Sequence, residues 1–150
     1  MTILFSRKGF TLLEILLVIF IIGLILAISI SMLANVLPSQ KVDATAREMI
    51  ATFRLARSMA MTSGQWQVLT LDMDSRQYSI EGGSARRFIP EEVRVEVEDP
   101  LHGEIKRGDY RFIFAPSGAS EGARVVLSSG KKIVDLEIDP IVGAVYSYPK

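Results

Sequence analysis

From Ile15 to Gln40 the chain carries no charged residue, and few folds can accommodate such a run. As a helix at ~1.5 Å per residue it would be about 39 Å long, more than the ~30 Å hydrocarbon core of a bilayer. A secretory signal has only ~7–15 apolar residues and closes on a small-residue cleavage site. Here the run continues past Gly23 and Ser29 into Val36-Leu37, and no A-x-A pattern ends it. The expectation is therefore a membrane-spanning segment. Arg7 and Lys8 precede it and favour a cytoplasmic N-terminus, while Lys41 followed by Asp43 is a weaker counterweight at the far end. The remainder of the chain is expected outside the cytoplasm.

Composition matters mainly after Gln40, where charges of both signs are interspersed. Of the 150 residues, about 110 are left for a head, enough for one compact core. The formal net charge is zero, so no global field draws the protein to nucleic acid or acidic substrates. There is no cysteine, which excludes disulfides, thiolate zinc sites and thiol catalysis.

Glu14 is out of place in this pattern. Phe10, Leu12 and Leu13 precede it and Ile15, Leu16, Leu17 and Val18 follow. A carboxylate among apolar residues at a membrane is costly and is by default a functional candidate. Position alone leaves two readings open, a working carboxylate or a marker of where the helix leaves the headgroups.

The surrounding residues carry a resemblance that decides between them. Arg7-Lys8-Gly9-Phe10-Thr11-Leu12-Leu13-Glu14, running straight into an apolar helix, resembles the class III leader of type IV pilins and type II secretion pseudopilins. The resemblance implies that a prepilin peptidase cuts after Gly9, that Phe10 becomes the N-methylated first residue, and that Glu14 is the fifth. A cut there removes Arg7 and Lys8 and leaves a positive amine four residues from Glu14. An apolar filament interior would hold both charges only as a pair, so pairing between neighbouring subunits would fix their axial register.

Pro38 lacks a backbone donor and crowds the carbonyl of Ala34, so a kink or break is expected near the membrane surface. Helical periodicity then resumes. Val42, Ala46, Met49, Phe53, Ala56 and Ala60 advance by alternating steps of four and three, one face of a helix, with Arg47, Glu48, Arg54 and Arg57 mostly off it. That face is expected to pack on the head's own sheet, and Ser63-Gly64 to end the helix. Strands are then expected at Trp66–Met73, Gln77–Ile80, Val93–Val97, Tyr110–Phe114, Arg124–Leu127, Ile133–Ile138 and Ala144–Tyr148. Asp74-Ser75, Gly82-Gly83-Ser84, Ser129-Gly130 and Asp139-Pro140 with Gly143 supply the turns. Trp66 is expected in the core.

These readings give an α+β, pilin-like architecture, a long N-terminal helix with a transmembrane half and an amphipathic half packed on antiparallel β-sheet. The expected organisation is a leader peptide over 1–9, a transmembrane helix over 10–40 and a periplasmic head over 41–150. The C-terminal third carries a second resemblance. Phe112-Ile113-Phe114-Ala115-Pro116-Ser117-Gly118, Gly122, and Leu136-Glu137-Ile138-Asp139 before Gly143 resemble the head of H-type minor pseudopilins (GspH) and their pilus relatives (FimT). Pro140-Ile141-Val142-Gly143 departs from the threonine-glycine turn usual there.

No catalytic constellation is found, and no cofactor or metal is expected. His102, the single histidine, stands between Pro100 and Gly103 in a polar loop and has no partner for a nucleophile–base pair. Ser128-Ser129-Gly130-Lys131 lacks the upstream glycine of a phosphate loop. Asp72-Met73-Asp74 opens like a calcium loop, but Arg76 and Gln77 occupy the third ligand and glycine positions. Glu96, Glu98 and Asp99 read as a solvated strand end. The pairs Arg86-Arg87, Lys106-Arg107 and Lys131-Lys132 read as solvated edges. Some FimT-like pilins bind DNA, but Glu91, Glu92, Glu96 and Glu98 oppose a broad positive field, and nucleic acid is not expected as a partner.

The resemblance implies a structural subunit and no enzyme: a minor pseudopilin of the type II secretion system, in the inner membrane with a periplasmic head. Its expected partners are the prepilin peptidase and the other minor and major pseudopilins. A minor type IV pilin in pilus assembly or DNA uptake is the alternative, and a membrane-anchored sensor a third class.

Overall fold

The computed structural model describes the backbone from Thr11 to Pro149, and side chains over the same span apart from residues 28–38. The expected leader, with Gly9 and Phe10, lies outside the described residues. One long helix, α1, spans Leu12–Ser63, and the chain divides into one compact unit ending at Val36 and another beginning at Leu37.

In the first unit the helical side chains from Leu12 to Ala27 are exposed on every side. A helix apolar all round has no face of its own to bury, so its stability depends on what surrounds it. Among the described residues no helix is long and apolar enough to cross a membrane. Side chains over the rest of the expected 10–40 span lie partly outside the described residues, Pro38 among them. The backbone stays helical through Pro38, so of the expected kink or break, a break is absent. A single missing N–H removes one helical bond, which a long helix tolerates at a cost.

The second unit is the head. Its helical part ends at Ser63, where Gly64 takes φ 67° and donates its N–H to the carbonyl of Ala60 at 3.0 Å. A left-handed residue just past the last turn suits glycine, which has no β-carbon to clash. Among the described residues nine strands follow: β1 Gln67–Asp72, β2 Gln77–Ile80, β3 Arg86–Phe88, β4 Arg94–Asp99, β5 Gly103–Ile105, β6 Asp109–Phe114, β7 Ala123–Ser129, β8 Lys132–Ile138 and β9 Val145–Pro149. They form two sheets, β3-β2-β1-β6 and β5-β4-β7-β8-β9, antiparallel throughout. The expected helix-on-sheet architecture holds, with the strands divided between two sheets.

Both sheets and the helix feed one core. All six residues of the sequence stripe, Val42 to Ala60, are buried. The Phe53 ring meets Phe112 edge-on, centroids 4.8 Å apart, and Phe114 at 6.3 Å. On the sheets the two-residue alternation of a half-buried strand is plain. Leu69 and Leu71 in β1, Val125 and Leu127 in β7, and Leu136 and Ile138 in β8 point inward.

Three expectations are corrected. Strands β3 and β5 were not anticipated, since both are short and exposed or half-exposed, and no inward apolar set marks them. Trp66 is 65% exposed. It precedes β1, whose inward positions are the odd-numbered Leu69 and Leu71, so residue 66 falls on the outer face. Glu96, Glu98 and Asp99 are not a freely solvated strand end, because each has a cationic or hydrogen-bonding partner, as set out below.

Candidate functional site

Of the three residues singled out at the N-terminus, the described structure contains Glu14. It lies in the first turn of α1, exposed. Its N–H donates to Thr11 Oγ1 at 3.2 Å and to the Thr11 carbonyl at 3.1 Å, and Ile15 N–H reaches the same carbonyl at 3.3 Å. Thr11 is therefore the N-cap, satisfying donors that the helix cannot bond itself. Thr11-Leu12-Leu13-Glu14 has the spacing of a capping box, in which the acid sits three residues after the capping hydroxyl. A negative charge there also suits the positive end of the helix dipole. That local arrangement is legible in the sequence as the spacing T-x-x-E.

The arrangement at this end is one carboxylate on the first turn, followed by apolar side chains presented all round from Leu12 to Leu26, interrupted only by Glu14, Gly23 and the cap. Such a surface suits lipid or other apolar helices.

In the head, each basic pair has one cation already occupied. Arg87 bonds the carboxylate of Glu48, Lys106 lies 3.0 Å from Glu104 and 3.6 Å from Glu96, and Lys132 lies 3.4 Å from Asp43. Arg86 borders a shallow pocket with Asp72 and Asp109. Arg86-Arg87 belongs to β3, an edge strand, where charged side chains discourage pairing with another sheet. Among the described residues the cations of these pairs are thus interspersed with acids.

His102 stands exposed in the β4–β5 turn with its Nδ1 2.9 Å from Asp99 Oδ1. Asp99 is a hub. Its Oδ1 accepts from the N–H of Leu101 at 2.8 Å and of His102 at 2.7 Å, and its Oδ2 from the Tyr110 hydroxyl at 2.5 Å. The Tyr110 hydroxyl chiefly, and the His102 and Leu101 N–H groups, hold the Asp99 carboxyl far below the usual range against the opposing effect of burial. Burial and the adjoining Asp99 charge push the Tyr110 hydroxyl up. These groups tie β6 to the β4–β5 turn, and the sequence does not show that connection. Glu98 pairs with Arg124 at 3.2 Å.

The acids of the calcium-like stretch are engaged locally. Asp72 accepts from the N–H of Ser75 at 2.8 Å and from its hydroxyl, and Asp74 Oδ2 from the N–H of Gly108 at 3.2 Å. Among the described residues no group of three or more acids or histidines is placed to hold a metal.

The glycine-marked C-terminal segment closes on the helix. Arg57 Nε donates to the carbonyl of Gly118 at 3.2 Å, and the turn from Asp139 to Gly143 packs against that same carbonyl. Asp139 Oδ1 accepts from the N–H groups of Ile141 and Val142 at 2.8 and 2.9 Å. The departure at 140–143 thus still makes a closed turn, with aspartate supplying the bonds.

Comparison with known proteins bears on both ends of the chain. Residues 45–141 match the family described as Type II transport protein GspH, and residues 4–30 match the prokaryotic N-terminal methylation motif. Among solved structures, the minor pseudopilin EpsH from the type 2 secretion system of Vibrio cholerae superposes with a TM-score of 0.58 at 12% identity, over 73% of this chain and 97% of that one. The type IV minor pilin FimU of Pseudomonas aeruginosa superposes with a TM-score of 0.56 at 14% identity, over 71% of this chain and 92% of its own. A second crystal form of FimU gives 0.55 at 14% identity, over 74% and 89%. At these identities the likeness establishes the shared fold. No curated protein matches the sequence.

Proposed function

Because the chain belongs to the GspH family of type II transport proteins, whose members are structural pilin-like subunits and not enzymes, we propose that it is a minor pseudopilin of the type II secretion system. In this reading it joins a short periplasmic pseudopilus with other minor and major pseudopilins and serves the export of folded proteins. One observation carries the proposal: a GspH-type head and an N-terminal methylation motif occur on the same chain, joined by a helix whose N-terminal side chains are apolar and exposed all round.

The methylation motif points to processing by a prepilin peptidase and to membrane anchoring with the head in the periplasm. Within that frame, residues 1–9 are the leader, 10–40 the transmembrane part of the helix and 41–150 the head. Cleavage falls between Gly9 and Phe10, Phe10 carries the methyl group, and Glu14 pairs with the amine of a neighbour's Phe10. The resemblance also implies that the outermost tip subunit typically lacks the acid found here at Glu14, so in this reading the chain sits below the tip.

The fold it shares with FimU favours a second reading, a minor type IV pilin. Deleting the gene in its host separates the two. Loss of extracellular enzymes with pili intact supports the pseudopilin, and loss of pili or of DNA uptake with secretion intact supports the pilin.

A further inference from the structure

A cavity of about 220 Å³ in the head lies against the β1–β2 turn and strand β4. Met73, Ile89 and Val95 give it an apolar wall, and Arg76, Arg94 and Lys106 bring three cations to it against one acid, Glu96. Glu96 is neutralised by Lys106 at 3.6 Å, and Lys106 is bound in turn by Glu104 at 3.0 Å. Arg76 and Arg94 make none of the ion pairs found among the described residues. With Glu104 counted, three cations stand against two acids here, an excess of one; Arg76 also lies within electrostatic reach of Glu92, and Arg94 is in no ion pair among the described residues.

Arg76 is also unusual as a residue. Its φ of 56° makes it the one non-glycine with positive φ among the described residues. Its Nη2 donates to the carbonyls of Pro90 and Val93, both at 2.5 Å, while its Nε is sealed from solvent without an acceptor. Backbone in that region costs free energy, and so does an unanswered charged N–H. Both persist where the surroundings over-determine them, a condition often met at ligand clamps. The guanidinium is thus held rigid at the cavity before anything binds.

We infer that this cavity binds a carboxylate on a short apolar stem, either an acidic side chain of another polypeptide or a free short-chain acid. The Arg94 guanidinium offers the planar fork that matches a carboxylate, and the immobilised Arg76 adds charge at little entropic cost. Met73, Ile89 and Val95 cover the methylenes of the stem. The volume is below the ~300–1,000 Å³ typical of pockets for drug-sized ligands, which selects a small group. An amine would meet the Arg76 and Arg94 cations, and an inorganic anion would leave the apolar wall uncovered. The inference holds whether the chain joins a pseudopilus or a pilus.

The test uses the full chain in detergent micelles with 13C-labelled methionine methyls. Met73 lines the cavity, and Met49, buried in the core, reports on folding. Butyrate and a capped Ala-Glu-Ala peptide are titrated beside butylamine and the neutral butyramide. Saturable movement of the Met73 signal is expected with the acids only, with Met49 unmoved. A tighter fit for the peptide identifies a polypeptide source, and an equal or weaker one a free acid. Arg94→Gln should weaken binding about tenfold or more, whereas Arg111→Gln, which removes an exposed arginine paired with Glu81, should not. The inference is overturned if neither acid moves Met73, if butyramide or butylamine binds as well as butyrate, or if Arg94→Gln binds unchanged. Should the Met49 signal show Arg94→Gln to be unfolded, the comparison of butyrate with butyramide on the unaltered protein decides the matter.

Discussion

The carbonyl oxygen of Gly118 fills the space that a side chain on Gly143 would need: a β-carbon built there would lie 2.0 Å from it. The same oxygen accepts the Arg57 Nε hydrogen bond at 3.2 Å. Two turns distant in sequence therefore close on one point of the helix, and both glycines hold positive φ, 86° and 62°. The glycine pattern that marks the C-terminal third is a packing requirement of this junction.

Gly143→Ala should accordingly be among the most damaging small substitutions in the head. It combines a left-handed residue with a β-carbon, ~1–2 kcal/mol, and a backbone collision that adds roughly 1–3 kcal/mol. Gly130→Ala is the control. Its φ is 60°, but nothing lies within 4 Å of the added carbon, so only the conformational cost applies. Thermal unfolding of the two variants by circular dichroism should place Gly143→Ala clearly lower. Equal losses would show that the two turns part without penalty.

Asp99 should make the head sensitive to acid. Its folded pKa is depressed, chiefly by the Tyr110 hydroxyl. Its contribution is therefore fully present above the unfolded value of ~3.9 and is lost as pH falls from there towards the folded value. Asp99→Asn should be less stable at neutral pH by about 1–3 kcal/mol, with a partner hydroxyl and two N–H groups poorly answered. Denaturant midpoints at neutral pH and at about pH 2.5 should show that gap narrowing on acidification. A gap that stays constant would mean the carboxylate's charge contributes nothing.

The helix stripe from Val42 to Ala60 and the inner strands could be read from sequence because burial imposes a period on them. Phe53, Leu69, Val125 and Leu136 are apolar for the same reason they are regular. Strands β3 and β5 could not be read that way: Arg86-Arg87-Phe88 lies at an edge and answers to solvent. Trp66 has the size and apolarity of a core residue, but its parity against Leu69 puts it on the outer face. The Arg57–Gly118 bond joins residues 61 apart, and Arg76 reaches the carbonyls of Pro90 and Val93, 14 and 17 residues on. Neither leaves a local pattern. Glu14 stood out through its chemistry alone, as a carboxylate in an apolar run, while its capping partner Thr11 was visible only as spacing.

Processing is the most direct check on the N-terminus. The chain purified from its host should begin at Phe10, having lost Met1–Gly9, and should carry one added methyl group. Intact-mass measurement decides this. A chain retaining Met1, or one beginning beyond Ala34, would remove the basis for reading residues 1–9 as a leader.

Two candidate roles of the Glu14 side chain can be separated: completing the capping-box spacing with Thr11, whose hydroxyl accepts from the Glu14 N–H, and the proposed pairing with the amine of a neighbour. Leucine removes both, whereas glutamine keeps the capping-box chemistry and removes only the charge. Neither substitution touches the scissile bond, so both variants should be cleaved after Gly9. Insertion should be unharmed, since a costly carboxylate is lost. If register depends on charge, both variants leave a neighbour's amine stranded in an apolar interior. Breaking such a pair typically costs ~3–5 kcal/mol, enough to shift a weak subunit equilibrium by orders of magnitude. Glu14→Gln and Glu14→Leu should then both be processed, membrane-resident and unable to crosslink with partner subunits or to support secretion. Glu14→Asp, with charge kept but reach shortened, should fall between them and the parent. Normal assembly by Glu14→Gln beside failure of Glu14→Leu would assign the residue to the helix cap, and the pairing argument would fall.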